Sequence, residues 1–242
     1  MNLALSMMLV VLSAAGAAQE QFEKDVFPTS AGDLEIVFIG HGSLMIRFGG
    51  KVIHIDPYSR LADYAKLPKA DLILITHEHQ DHLDLSAVEA IRTRDTAVVL
   101  AGTAAEKLPG GTVMKYGEVR SVLGITIEAV PAYNLVHKRD NGQPFHPKGR
   151  GNGYVLSLGD KRVYFAGDTE NTPEMKALKD ISIAFLPMNL PYTMTPEMVA
   201  DAAKAFKPHV LYPYHYGDTE TSRIVSLVRD DKGIEVRIRK MQ

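Results

Sequence analysis

The stretch Thr76-His77-Glu78-His79-Gln80-Asp81-His82 sets three histidines and an aspartate within six positions. Imidazole nitrogens and carboxylate oxygens at that density suit a borderline cation such as zinc. His77 and His79 are two apart, so an extended backbone points both to one side. Asp81 and His82 follow as the chain turns away, and they can face a second point nearby. A polar loop of solvated histidines is the alternative, and the crowding of ligand types weighs against it. The sequence contains no cysteine, which excludes thiolate sites and disulfides, so any metal is held by His, Asp or Glu.

The elements that must position this cluster are readable from the apolar pattern. Leu72 to Ile75 is a short apolar run rich in isoleucine and predicts a buried strand whose end delivers the cluster. Before it, Leu34 to Ile39, Leu44 to Phe48 and Lys51 to Ile55 read as strands, the last two joined by a Gly49-Gly50 hairpin turn. The chain up to Pro28 reads as a loose lead-in. After the cluster, Leu85 to Ile91 reads as a helix, Ala97 to Ala101 as a strand and Thr103 to Lys107 as a short helix capped by Thr103. Further strands are expected at Val113, Val119 to Val122 and Ile125 to Val130. An irregular segment follows from Ala132 to Asn152, and loops of that length inside a compact fold usually carry function. Tyr154 to Leu158 and Arg162 to Ala166 form a second hairpin that ends in Gly167-Asp168-Thr169. Ile181 to Leu186 and Val210 to Pro213 are apolar strands. Between them Thr195-Pro196 opens a helix, with Thr as N-cap and Pro at its first position. An amphipathic helix with Ile224, Leu227 and Val228 precedes a last strand, Ile234 to Ile238. Two successive halves of strands and helices predict an α/β protein, an αββα four-layer sandwich built on a partly duplicated plan.

A chain of 242 residues with 45% hydrophobic content can bury a large core in one layered domain, here expected over residues 19–242. The net charge of −2 gives no basic footprint and argues against nucleic acid as a partner. Leu3 to Leu12 is almost wholly apolar, and Ala14 to Gln19 supplies the small residues of a signal-peptidase site. Residues 1–18 are therefore expected to be a signal peptide, although no Lys or Arg precedes the apolar run. That run is too short to span a membrane. The expected location is secreted or periplasmic, without stable membrane insertion. Oligomeric state is not readable.

A strand followed by His-x-His-x-Asp-His, then a strand followed by Gly167-Asp168-Thr169, then a late strand followed by His215, resembles the metallo-β-lactamase-fold hydrolases. The likeness runs from Leu34 to the C-terminus. Gly40-His41-Gly42-Ser43, Ile55-Asp56-Pro57, Tyr192-Thr193-Met194-Thr195-Pro196-Glu197 and Pro213-Tyr214-His215-Tyr216-Gly217 are similar to the branch that holds ascorbate-6-phosphate lactonase and N-acyl-phosphatidylethanolamine phospholipase D. The resemblance implies two divalent metal ions, zinc first, with manganese or iron as alternatives. His77 and His79 would bind one ion, Asp81, His82 and His215 the other, and Asp168 would bridge them through a single carboxylate atom. Asp81 and Asp168 would then be catalytic, and His41 would reach the substrate or support the ligands. His54 and His209 read as structural.

One ligand departs from the family pattern. The usual Pro-Ala-x-His setting reads Pro131-Ala132-Tyr133-Asn134, and an amide oxygen is a poor zinc ligand beside imidazole. Between His82 and His209 the chain offers only His137 and His146. His137 is followed by Lys138-Arg139, whose charges oppose a nearby dication. His146 lies in the stiffer Phe145-His146-Pro147 and is expected to complete the first site, with His137 and Asn134 as alternatives. Two dications against two carboxylates and a hydroxide leave a positive site that favours a small anionic substrate. The implied activity is hydrolysis of an ester, lactone, amide or phosphodiester by hydroxide generated on the metals. The alternatives are a phospholipase-D-like phosphodiesterase and a metal-binding protein without catalysis. Lys148 and Arg150 could meet an anionic group, although loop cations are usually just solvated.

Overall fold

Alternating burial along the strands divides the apolar side chains into two sets, and that division dictates the layers. The structure, a computed structural model, describes residues 22–242. The expected signal peptide lies outside the described residues. The first half of the chain gives β1 (Glu23–Thr29), β2 (Gly32–Gly40), β3 (Ser43–Phe48), β4 (Lys51–Ile55), β5 (Leu72–Ile75), α1 (Leu85–Ile91), β6 (Ala97–Leu100), α2 (Gly102–Ala105) and β7 (Thr112–Val113). The second half gives β8 (Val119–Val122), β9 (Ile125–Ala132), β10 (Gly151–Leu158), β11 (Lys161–Phe165), α3 (Pro173–Lys176), β12 (Ile183–Pro187), α4 (Pro196–Phe206), β13 (Val210–Tyr214), α5 (Ser222–Leu227) and β14 (Glu235–Val236).

Among the described residues these strands form two seven-stranded sheets, each in sequence order, β1 to β7 and β14 to β8. Both sheets follow one plan. The first four strands of each half are antiparallel, β1 to β4 and β8 to β11. From there the pairing turns parallel, β4 to β7 and β11 to β14. Ile36, Phe38, Leu72 and Leu74 face the second sheet and share its core, whereas Val37, Ile39, Ile73 and Ile75 face outward onto Ala87, Val88 and Ile91 of α1. On the second sheet, Phe165, Phe185 and Tyr212 stack inward, with Phe38 reaching across at 5.1 Å from Tyr212. Tyr164, one residue from Phe165, points the other way and meets Phe206 of α4 edge-on. The period of two thus yields helix, sheet, sheet, helix, the αββα sandwich expected from the sequence.

Three local expectations change. The lead-in before Pro28 is the paired strand β1, because Asp25 fixes it to the far end of the chain through Tyr212, Arg237 and Arg239. Thr103 does not cap α2, whose N-cap is Ala101; its hydroxyl instead donates to Glu78 Oε2 at 2.5 Å. The irregular segment is shorter than Ala132 to Asn152, since β9 runs to Ala132 and β10 begins at Gly151. Thr195 caps α4 as expected by accepting from Met198 N, and Lys207 closes that helix with φ of +49° before Pro208.

Candidate metal centre

Apart from His146, which the loop between β9 and β10 brings in, the chemistry-bearing side chains of the cluster leave the C-terminal ends of strands, where α/β sheets usually build sites. β2 ends at Gly40 and presents His41; β4 presents Asp56; β5 presents His77, His79, Asp81 and His82. From the other sheet, β11 presents Asp168 and β13 presents His215. His41, Asp56 and His215 all take positive φ, of +50°, +44° and +46°, a conformation that non-glycine residues adopt rarely and that clusters at functional sites.

The side chains gather into two groups. One ligand atom each from His77, His79, His146 and Asp168 lie within 4.8 Å of one another, and so do atoms of His41, Asp81, His82 and His215. Asp168 joins the groups. Its Oδ2 is 3.2 Å from His146 Nε2 and 3.9 Å from His77 Nε2, while its Oδ1 is 3.4 Å from His82 Nε2 and 3.5 Å from His215 Nε2. The carboxylate therefore turns one oxygen to each group, where the resemblance implied a single shared atom. His41, expected near the substrate or behind the ligands, stands inside the second group, its Nε2 3.1 Å from Asp81 Oδ2 and its ring 3.7 Å from that of His215.

Hydrogen bonds behind these rings decide which nitrogen faces inward. Asp56, fully buried, accepts from Thr76 N at 2.8 Å, from the Thr76 hydroxyl at 2.6 Å and from His82 Nδ1 at 2.8 Å. Because the Thr76 hydroxyl donates to Asp56, it accepts from His77 Nδ1 at 3.0 Å, which makes His77 Nε2 the acceptor nitrogen of the ring, 3.0 Å from His79 Nδ1. Partners of this kind orient metal-binding histidines. Gly42 stands against His82, and a Cβ there would lie 2.9 Å from its Cε1, so the turn needs glycine to let the ring sit.

His146 is held the same way, by the residue that replaces the family histidine. Asn134 Oδ1 accepts from His146 N at 2.7 Å and from His146 Nδ1 at 2.9 Å. Asn134 Nδ2 in turn donates to Glu170 Oε1 at 3.0 Å and to Tyr192 O at 2.9 Å. Asn134 is thus a bracket for His146 and is not among either group. His137 also stays out, with its Nδ1 2.7 Å from Glu170 Oε1. Glu170 is a site residue that the sequence does not announce. Fully buried, it accepts the backbone N–H groups of Leu135, Val136 and His137 at 2.7, 2.7 and 2.8 Å and ties the loop down. Its only sequence signal is its place two residues after Asp168. Asp56 carried part of the resemblance but was not singled out as a site residue. His54 is buried with Nε2 3.1 Å from Pro68 O, and His209 is exposed at a strand start, both consistent with structural roles.

Electrostatics prepare the groups for a cation. Burial would raise the Asp168 carboxyl, but His215, His82 and His146 hold it well below the usual range. Burial likewise opposes ionisation of Asp81, and neighbouring His215, with Nε2 3.8 Å away, and the His41 hydrogen bond outweigh it and lower its pKa. Burial and neighbouring His82 push His77 well below its ordinary value; burial and His146 lower His79. His82 goes the other way: burial lowers it, but Asp168 and Asp56 carry it up to about 10. Of the seven side-chain atoms that stand buried without a hydrogen-bond partner among the described residues, three belong to the ligand groups, His82 Nε2, His215 Nε2 and Asp168 Oδ1, and the two nitrogens both face that oxygen. Buried polar atoms are rarely left so, and nitrogen and oxygen lone pairs converging at this distance fit a divalent cation.

Comparison with known proteins agrees with the fold. Residues 35–215 match a family model described as the beta-lactamase superfamily domain. A UPF0173 metal-dependent hydrolase of Thermococcus onnurineus is 36% identical over 197 residues, covering 76% of this chain and 84% of its own. One from Pelotomaculum thermopropionicum is 30% identical over 222 residues, covering 85% of this chain and 96% of its own. Among solved structures, a candidate metal-dependent hydrolase of Parabacteroides distasonis is similar at 50% identity and a TM-score of 0.88, covering 92% of this chain and 100% of its own. With two sheets, the paired ligand groups and these relatives in agreement, the chain belongs to the beta-lactamase superfamily and is a metal-dependent hydrolase of the metallo-β-lactamase fold.

Proposed function

We propose that the two ligand groups hold a pair of divalent metal ions, zinc first, and that the enzyme cleaves an ester, lactone, amide or phosphodiester bond in a small anionic substrate. His77, His79, His146 and Asp168 would hold one ion, and Asp81, His82, His215 and Asp168 the other. The observation that carries this reading is the convergence of His82 Nε2, His215 Nε2 and Asp168 Oδ1, all buried and unpartnered. When bound, such a pair supplies Lewis acidity and lowers the pKa of water to about 7. The chain's own groups do the rest. Asp56, Thr76 and Asn134 fix the ring nitrogens that face inward. His41 donates from Nε2 to Asp81 Oδ2 and holds that carboxylate toward the second group. Ligation requires the inward-facing ring nitrogens to be free of protons, so metal affinity should fall as pH is lowered.

Metal analysis combined with turnover of bis(4-nitrophenyl) phosphate and a lactone panel tests the proposal. About two ions per chain, turnover on at least one panel, its loss on chelation and its return on re-addition of metal are expected. Full loading without turnover of either would leave a binding protein and refute the hydrolytic reading. We further place the mature enzyme outside the cytoplasm, from the apolar run at Leu3 to Leu12 and the small residues after it. A mature N-terminus near Gln19 in a periplasmic or secreted fraction is the expected finding; a cytoplasmic protein retaining Met1 overturns it.

A further inference from the structure

The loop between β9 and β10 carries four long cations, Lys138, Arg139, Lys148 and Arg150, and the last two are already neutralised. Arg150 Nη2 pairs with Glu78 Oε1 at 2.5 Å, and Lys148 Nζ pairs with Glu174 Oε1 at 2.6 Å. Arg139 differs. It forms no ion pair among the described residues; its guanidinium lies 5.0 Å over the Phe145 ring, and Nη2 donates to Phe145 O at 3.3 Å. That arrangement sets the exposed head group against Phe145 while leaving most of its N–H donors free. Arg139 also lines both cavities that open onto the ligand groups, one of about 220 Å³ beside His146 and Asp168, the other of about 380 Å³ beside His41 and His215. In the second cavity Phe145 and Tyr192 meet edge to face at 5.1 Å, a wall for an organic moiety.

A guanidinium facing two dications across a cavity is repelled by them unless an anion comes between or beside. We propose that Arg139 is a specificity-determining residue: it takes an anionic group, carboxylate or phosphate, that the substrate carries away from the bond being cleaved. The planar fork suits either group bidentately. Phe145 and Tyr192 flank the carbon skeleton that joins that group to the reacting one. The sequence alone pointed the opposite way, since the charge of Arg139 counted against His137 as a ligand. This inference rests on the reading of the two groups as a metal pair.

Calorimetric titration of the metal-loaded full-length protein separates the two claims. The probes are phenylphosphonate, its 4-carbamoyl derivative, and its 3- and 4-carboxy derivatives, applied to wild type, R139Q and R139K at fixed ionic strength. At least one carboxy probe should bind wild type about ten- to a hundredfold tighter than the carbamoyl probe of like shape. R139Q should erase that preference, and R139K should restore part of it. If phenylphosphonate binds but no carboxy probe gains, or the gain survives in R139Q, the role of Arg139 is overturned and the metal pair stands. If phenylphosphonate does not bind the loaded protein at all, the metal-centred reading fails and this inference with it.

Discussion

Asn134 stands where the resemblance implies a histidine ligand, and in this chain it grips His146, the residue we propose takes that place. Its amide is fully used, with Oδ1 on His146 and Nδ2 shared between Glu170 and Tyr192 O. Truncation to alanine would leave His146 N and Nδ1 without their acceptor and Glu170 without one of its donors. Because partners of this kind typically govern metal affinity by 10–100-fold, Asn134→Ala should weaken loading of the His77 group by about that factor. The Asp81 group, which shares no hydrogen bond with Asn134, should keep its ion. Stepwise chelator competition with metal counting checks this: one ion lost early and one retained is the expected course, and equal loss of both would contradict it.

At the scale of elements, the two halves of the sandwich depend on what clamps them at their edges. β1 is pinned to the end of the chain by Asp25, which accepts from Arg239 at 2.7 and 2.8 Å, from Arg237 at 3.3 Å and from the Tyr212 hydroxyl. Burial would raise the Asp25 carboxyl, but the Arg239 and Tyr212 hydrogen bonds outweigh it and lower the pKa. A carboxyl whose pKa is lowered on folding stabilises above its unfolded value, about 4, and that stability is lost as pH falls through the folded value. Asp25→Asn should therefore lower Tm at pH 7 by roughly 4–8 °C, for a loss of about 2 kcal/mol. The gap between wild type and variant should close as pH falls below about 4. Thermal melts across pH test this, and a gap that persists undiminished at pH 3 would exclude the ionic clamp. The same clamp explains why β1 was not legible. Its residues alternate without a strong apolar face, and its partners lie some two hundred positions away, as with the Asp25–Arg239 pair.

Over the whole molecule, legibility followed the range of the interaction. The His77 to His82 cluster, the Gly167-Asp168-Thr169 turn and His215 each follow an apolar strand, so their placement at strand ends could be read locally. The four-layer order followed from two repeated blocks of strands and helices, and both sheets repeat one sequence of antiparallel then parallel pairing. What escaped was set by partners distant in sequence. Glu170 matters because three N–H groups of the loop converge on it, and nothing near Glu170 in sequence announces them. Thr103 looks like a helix cap until Glu78 claims its hydroxyl. Asp56 serves two rings at once, one through Thr76, which no spacing rule anticipates.

Anomalous diffraction from a crystal of the metal-loaded enzyme addresses the pairing of the two groups directly. The expected result is two peaks about 3.5–4 Å apart, one bounded by His77, His79 and His146, the other by Asp81, His82 and His215, with Asp168 touching both. A single peak, or a second ion bound with His146 turned away from it, would contradict the account.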